Sequence, residues 1–297
     1  MSAGIPTITL GVTVRNDRAG IARLLACIAL QTRAPDELVI VDAASTDGTR
    51  EACERFANDA RFPVRVESAP CTRGGGRARI VALAKGDLVA FTDADCEPPP
   101  TWLAELEAAW HGEAALGGPS VSPSGATPLQ RAVDYVMVEM EAASFDGVNT
   151  CNALYRRDAV LAVGNFDAAL QVAEDPDLNA RLRRAGQRLR RTGVAMLQRR
   201  RATWRALVRQ HYEYGKGARV LLDRYPEAFP RIERAIGWLL LVPPLALVIP
   251  FVVHRRLVRR FWRSPRRLGV VWVVYVPYHI GLQFGKSAKT HRSPPDA

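Results

Sequence analysis

The chain has 297 residues, 48% of them apolar and 24% charged, with a formal net charge of +11. That is room for one large domain, or for one domain and an appendage, each with an ample core. Its five cysteines are odd in number, scattered and free of C-x-x-C spacing, which excludes a disulfide framework and a zinc site and predicts reduced thiols in a cytosolic compartment.

The charge is split along the chain. Residues 1–180 hold 15 basic and 25 acidic side chains, a net of −10, while residues 181–297 hold 26 and 5, a net of +21. This pattern predicts a front half that carries the chemistry and a back half that meets an anionic membrane. Nucleic acid is the weaker partner class, because the basic half holds long apolar runs rather than aromatic residues interleaved with arginine. Met1–Pro6 has neither the basic nor the apolar region of a secretory signal, so none is expected.

In chain order, Thr7–Val14 alternates as a first strand, and Ile21, Leu24, Leu25 and Ile28 then recur at helical spacing. Leu38–Val41 reads as a second strand with a loop from Asp42, and a helix starts at Thr49. Val64–Val66 is a weak third strand. Gly74-Gly75-Gly76 opens a helix to about Ala84, and those glycines suit either a phosphate cradle or a flexible turn. Leu88–Phe91 is a fourth strand, running directly into Asp93-Ala94-Asp95. Strands alternating with helices predict an α/β fold, a mostly parallel doubly wound sheet flanked by helices. Ligands of such sheets sit at the carboxyl edge. There the loops after Val14, Val41 and Phe91 would gather Arg15, Asp17, Asp42, Asp47, Asp93 and Asp95. Asp93 and Asp95 are hard oxygen donors suited to Mg²⁺ or Mn²⁺.

The succession V-x-V-R-N-D, Q-T-x-x-x-x-E-L-V-I-V-D-x-x-S-T-D-G-T, G-R-A-R and A-x-G-D-L-V-A-F-T-D-A-D, continued by Gly117-Gly118, Asn152–Arg157 and Glu174–Leu178, resembles family 2 glycosyltransferases of the GT-A (nucleotide-diphospho-sugar transferase, Rossmann-like) fold, of the membrane-associated bacterial type. The resemblance spans roughly residues 6–225. It implies a nucleotide-diphosphate sugar donor, a divalent cation (Mg²⁺ or Mn²⁺) held by Asp95 with Asp93 beside the ribose, and contacts to the donor from Arg15, Asp42, Arg79, Asn152 and Gln210. It also implies Asp175 as general base, with Glu174 positioning the acceptor hydroxyl, and inversion at the anomeric carbon. Ala43 and Ala44 stand where the family usually has a second Asp and a Gly. Read locally, Asp175-Pro176 is equally a helix cap followed by a first helical proline. Glu213 replaces the arginine of the processive members' Q-x-x-R-W, which points to transfer of one sugar at a time. His211 suits either a metal ligand or a structural role.

The expected division is a glycosyltransferase domain over 1–225 and a basic, apolar helical membrane-attachment region over 226–297. Residues 235–253 and 268–285 are uncharged runs of about the length that spans a bilayer, both broken by prolines, with an arginine-dense stretch between them. Because all flanks are basic, the positive-inside rule favours two re-entrant or interfacial segments on the cytoplasmic face over two spanning helices. The acceptor class implied by the tail is lipid-linked or an envelope glycan. Two other readings stay open at this point, a sugar-phosphate nucleotidylyltransferase and a non-catalytic sugar-nucleotide-binding membrane protein.

Overall fold

The computed structural model describes residues 5–144, 147–228, 239, 243–253, 259 and 263–284. The chain groups into two compact units, one running through Ala168 with Glu174–Arg200 added, the other made of Ala169–Ala173 and the chain from Arg201.

The first unit opens with the alternation the sequence predicts: β1 (Ile8–Val14), α1 (Arg18–Ala29), β2 (Glu37–Asp42), α2 (Thr49–Asp59), β3 (Val64–Ser68), α3 (Arg73–Leu83) and β4 (Leu88–Asp93). There follow β5 (Cys96–Glu97), α4 (Trp102–Ala109), β6 (Ala115–Gly117), β7 (Ser120–Val121), α5 (Pro128–Ser144), β8 (Asn152–Arg156), α6 (Arg157–Ala162), α7 (Glu174–Arg184), β9 (Leu189–Arg191) and β10 (Met196–Gln198). Seven strands form one sheet in the order β3-β2-β1-β4-β8-β6-β9. The first four are mutually parallel, and β8 runs antiparallel to both β4 and β6. A second, three-stranded sheet has the order β5-β10-β7.

The chain steps outward from β1 to β2 and β3 and then returns to place β4 on the other side of β1. That reversal opens a crevice at the carboxyl ends of β1 and β4. Register carries it further, since Val14 pairs with Asp42 and Thr13 with Asp93. The ends of three strands therefore lie level, and the loops leaving them share one edge.

Helices cover both faces of the sheet, so β2 and β4 carry unbroken apolar runs, while β1 and the edge strand β3 keep an alternating pattern. On one face Leu10, Val12, Leu38 and Ile40 pack with Leu24, Ile28 and Trp102. On the other, Val39, Val41 and Phe91 pack with Ile80, Tyr155, Phe166 and Leu178. Phe91, Tyr155 and Phe166 meet edge to face with ring centroids 5.4–6.0 Å apart, an arrangement that stabilises beyond simple burial.

In the second unit α8 (Trp204–Arg224) lies along the helix Pro265–Phe284. Glycines set that contact. A Cβ on Gly215 would lie 1.9 Å from the Tyr278 carbonyl oxygen, and one on Gly281 would lie 2.2 Å from that of Tyr212. The backbones thus touch, and α8 groups with the C-terminal helices instead of with the sheet, where a boundary at 225 would put it. Gly281→Val is expected to force the pair apart and cost about 1–3 kcal/mol. A thermal melt checks this against Gly193→Ala, whose added Cβ would meet nothing within 4 Å.

Of the two apolar runs, the first is described over Pro243–Val253 and at Leu239, and the second forms most of Pro265–Phe284, where Val270, Val271 and Val274 are buried. Among the described residues no helix is long and apolar enough to cross a membrane. Most of the arginine-dense stretch between the runs lies outside the described residues.

Candidate active site

Asp93 ends β4, and Thr92 pairs with Asn152 across β8. The residues just beyond that pair, Asp93 and Cys151, therefore leave the sheet side by side. One step further, Thr150 offers its backbone N–H and its hydroxyl to Asp175 Oδ2, each at 3.3 Å. The second carboxylate pair is thereby brought to the end of β4 across more than eighty residues of sequence.

A buried arginine completes the connection. Arg77 Nη2 donates to Asp93 Oδ1 at 2.8 Å, and Arg77 Nη1 donates to Glu174 Oε1. Arg77 and Glu174 are 3% and 2% exposed, whereas Asp93 keeps 30% of its side chain open. Burial works against the guanidinium charge, but Glu174, Asp93 and Asp175 outweigh it and hold Arg77 protonated. Burial, with Asp175 adding to it and Arg77 and Arg73 opposing, pushes the Glu174 carboxyl up to about 7. Its Oε2 is buried with no hydrogen-bond partner.

This differs from the expectation for the glycine-rich segment. Arg79 is half exposed and paired with Glu67, away from the carboxylates, and Arg77 holds the central position. The helical phase explains why. Arg77, Ile80 and Val81 fall on the buried face of α3, and Arg79 on the other. The three glycines are the helix's first turn rather than a loop, with Thr72 as its N-cap. Gly76 is needed for approach, because a Cβ there would lie 2.6 Å from Thr13 Cγ2 on β1.

Asp175 also departs from its local reading. Helix α7 begins at Glu174, after Ala173 in the left-handed region (φ 69°), so Asp175 lies inside the first turn with its carboxylate on Thr150. Asp42 is fully buried and accepts from Ser45 N–H at 3.1 Å and from the Ser68 hydroxyl at 2.7 Å. It fastens its loop instead of projecting from it. Asn152 is likewise spent on the scaffold: its amide donates to the carbonyls of Pro119 and Val194 and accepts from Trp102 Nε1. Arg15 is exposed at the end of β1. Gln210 belongs to the second unit, where it donates to Tyr214 Oη at 2.9 Å, and His211 is buried there with Nδ1 2.9 Å from the Leu207 carbonyl oxygen.

The loops after β1 and β2 are tied to one another. Asn16 N–H donates to Ser45 Oγ, Thr46 N–H to Asn16 Oδ1, and Arg18 N–H to Asp47 Oδ2. Asn16 and Ala44 both adopt positive φ (48° and 56°), the region that glycine bears without strain.

Asp95 lies beyond the sheet and accepts from Gln198 Nε2 at 3.2 Å, while its carbonyl accepts from Arg199 N–H. Both partners come from β10 and its exit, an association too distant in sequence to be legible there. Cys96 packs beside Cys151. That contact and then burial push its thiol well above the ordinary value, which suits packing and not nucleophilic chemistry.

The fit to a divalent cation rests on the donor set. Asp93 and Asp95 are partly exposed hard carboxylates one residue apart, which suit Mg²⁺ or Mn²⁺. Among the described residues no group of three or more His, Cys, Asp or Glu side chains is gathered for an ion. An ion whose other ligands are substrate phosphates is typically held by one or two protein carboxylates.

Comparison with known proteins gives the same direction. The sequence model of the family described as glycosyl transferase family 2 matches residues 9–163. Glycosyltransferase AglE of Haloferax volcanii is 27% identical over 198 residues, which is 64% of this chain and 65% of that protein. The pre-mycofactocin glycosyltransferase of Mycobacterium tuberculosis is 27% identical over 248 residues, covering 74% of this chain and 48% of that protein. The chain thus spans 65% and 48% of the length of these two curated relatives. Among solved structures, the mannosyltransferase PcManGT from Pyrobaculum calidifontis, in complex with GDP-Man and Mn²⁺, superposes with a TM-score of 0.68 at 20% identity, over 94% of this chain and 87% of that one. At that identity the likeness is one of fold.

Proposed function

The chain belongs to glycosyl transferase family 2 and has the GT-A fold, and from that premise we propose that it transfers a sugar, one at a time and with inversion, from a nucleotide-diphosphate donor to a hydroxyl acceptor. The observation that carries this reading is the Asp93–Arg77–Glu174 bridge, which joins the carboxylates after β4 to those opening α7.

In this reading Asp93 and Asp95 hold a divalent cation together with the donor diphosphate. When bound, the ion supplies Lewis-acid stabilisation of the leaving diphosphate. The tied loops after β1 and β2, with Arg15 exposed between them, receive the nucleoside, and Asp42 keeps the second loop in shape beneath it. Asp175 takes the proton of the acceptor hydroxyl as that oxygen attacks the anomeric carbon. Between Asp175 and Glu174, access decides. Glu174 is 2% exposed with one oxygen on Arg77, whereas Asp175 stays partly open. A single displacement with one base implies inversion.

The acceptor proposed is lipid-linked or an envelope glycan, met at the cytoplasmic face of an anionic membrane. Two features support this. The basic excess falls in the C-terminal part of the chain, and helix Pro243–Val253 carries no polar side chain yet exposes Leu247, Val248 and Val252 by more than half.

Incubation with a panel of nucleotide sugars and Mn²⁺ is expected to release nucleoside diphosphate, and Asp95→Ala to abolish that release. Formation of nucleoside triphosphate and sugar 1-phosphate from the nucleotide sugar when pyrophosphate is added, in place of nucleoside diphosphate release, would identify a nucleotidylyltransferase instead. Donor binding with no turnover of any sugar would identify a binding protein.

A further inference from the structure

Asp95 stands on a turn outside the main sheet, so something other than the sheet must fix its carboxylate. We propose that Gln198 is a positioning residue that holds Asp95 in its cation-binding orientation, and that Arg200 and Asp134 determine which way Gln198 faces. The proposal rests on the reading of Asp95 as a cation ligand.

The small three-stranded sheet makes the connection. Gln198 on β10 pairs antiparallel with Cys96 on β5, the residue after Asp95. Its Nε2 lies 3.2 Å from Asp95 Oδ1. A glutamine amide has a donor end and an acceptor end of nearly equal shape, so its direction must come from its other partner. Here that partner is Arg200, whose Nη1 donates to Gln198 Oε1 at 2.9 Å. A guanidinium can only donate. The amide oxygen is therefore committed to Arg200, and the NH₂ group must face Asp95, where it favours the charged carboxylate.

Arg200 is itself held on two sides. Its Nε donates to Asp134 Oδ1 at 3.0 Å, and its Nη2 donates to the carbonyl and hydroxyl oxygens of Ser120 at 2.7 and 3.0 Å. Asp134, on α5, accepts from Ser122 N–H through its other oxygen at 2.9 Å. A continuous path of directed hydrogen bonds thus runs from α5 through Arg200 and Gln198 to Asp95. None of its three outer members supplies a ligand atom. Groups that orient a ligating carboxylate in this way typically change metal affinity 10- to 100-fold when removed.

The test is a titration with Mn²⁺ alone, following unbound Mn²⁺ by its EPR signal, on the full chain. Gln198→Met, which keeps length and loses both hydrogen bonds, is expected to weaken Mn²⁺ binding roughly 10-fold or more with an unchanged melting temperature. Arg200→Lys keeps a charge against Asp134 and loses the Nη1 hydrogen bond to Gln198, and should weaken binding similarly. The double variant should be no weaker than the worse single one, because both act on one path. Wild-type Mn²⁺ affinity in Gln198→Met, alongside lost binding in Asp95→Asn, would overturn the positioning role. Wild-type affinity in Asp95→Asn would instead overturn the assignment of Asp95 as a ligand, and the proposal with it.

Discussion

Asp175→Asn is expected to lower kcat by roughly 10²- to 10⁴-fold, the range a positioned general base contributes, with donor affinity within a few-fold of wild type. The separation follows from the geometry. Asp175 touches the Thr150 backbone N–H and hydroxyl, while the donor-side carboxylates lie at the end of β4. An asparagine carbonyl can still accept from Thr150, so the local structure has no reason to change, and only the ability to take a proton is removed. Glu174→Gln is the contrasting variant. If Glu174 were the base, it and not Asp175→Asn would show the loss in kcat without a loss in stability. Thr150→Val removes one of the two bonds that aim the carboxylate and is expected to cost about 10-fold in kcat. Single-turnover assays at saturating donor separate these effects. An Asp175→Asn enzyme within threefold of wild-type kcat would leave the site without its assigned base.

Much of the sheet was legible because its logic is local. Each strand from β1 to β4 is a short β-rich segment ended by a polar loop, an unbroken apolar run in β2 and β4 and an alternating one in β1 and β3, and the helices between them carry their apolar residues at helical spacing. The acidic loops after β1, β2 and β4 follow from that alternation, since parallel strands must put like ends at one edge. The side-chain assignments were less legible, and for a physical reason. Asp42 and Asn152 have the residue types of ligand contacts, and both are also buried and hydrogen-bonded to scaffold groups, which no motif reveals. Arg77 could have been distinguished from Arg79 by helical phase alone, had the spacing to Ile80 and Val81 been weighed above the motif. Thr150 and Gln198 could not, because they meet their carboxylates only through register and a two-residue strand. The second apolar run reads as a membrane segment, and its packing against α8 through Gly215 and Gly281 is a contact that hydropathy cannot express.

Removal of the Arg77 charge should have the largest effect on stability. Arg77→Met leaves Glu174 buried without its countercharge, and breaking a buried pair from one side costs about 3–5 kcal/mol. For a chain of this size that is a fall in melting temperature of roughly 6–20 °C. Asp93 adds little to the loss, because its partly exposed carboxylate can recover water. The size of the effect must depend on pH, since Glu174 can escape by taking a proton. Its folded pKa, about 7, lies above the ordinary 4.5. A group raised in this way favours the folded state fully below its unfolded value, and that contribution is lost as pH rises through the folded one. Wild type should therefore lose some stability between about pH 4.5 and 7. Arg77→Met removes an influence that lowers the Glu174 pKa, so the window moves upward and the variant should be markedly weaker at pH 8 than at pH 6. Arg77→Met combined with Glu174→Met buries no unpaired charge and should recover most of the loss. Equal melting temperatures for Arg77→Met at the two pH values would show that Glu174 is not the group left uncompensated. A double variant no more stable than the single one would show that Arg77 acts through its packing and not through its charge.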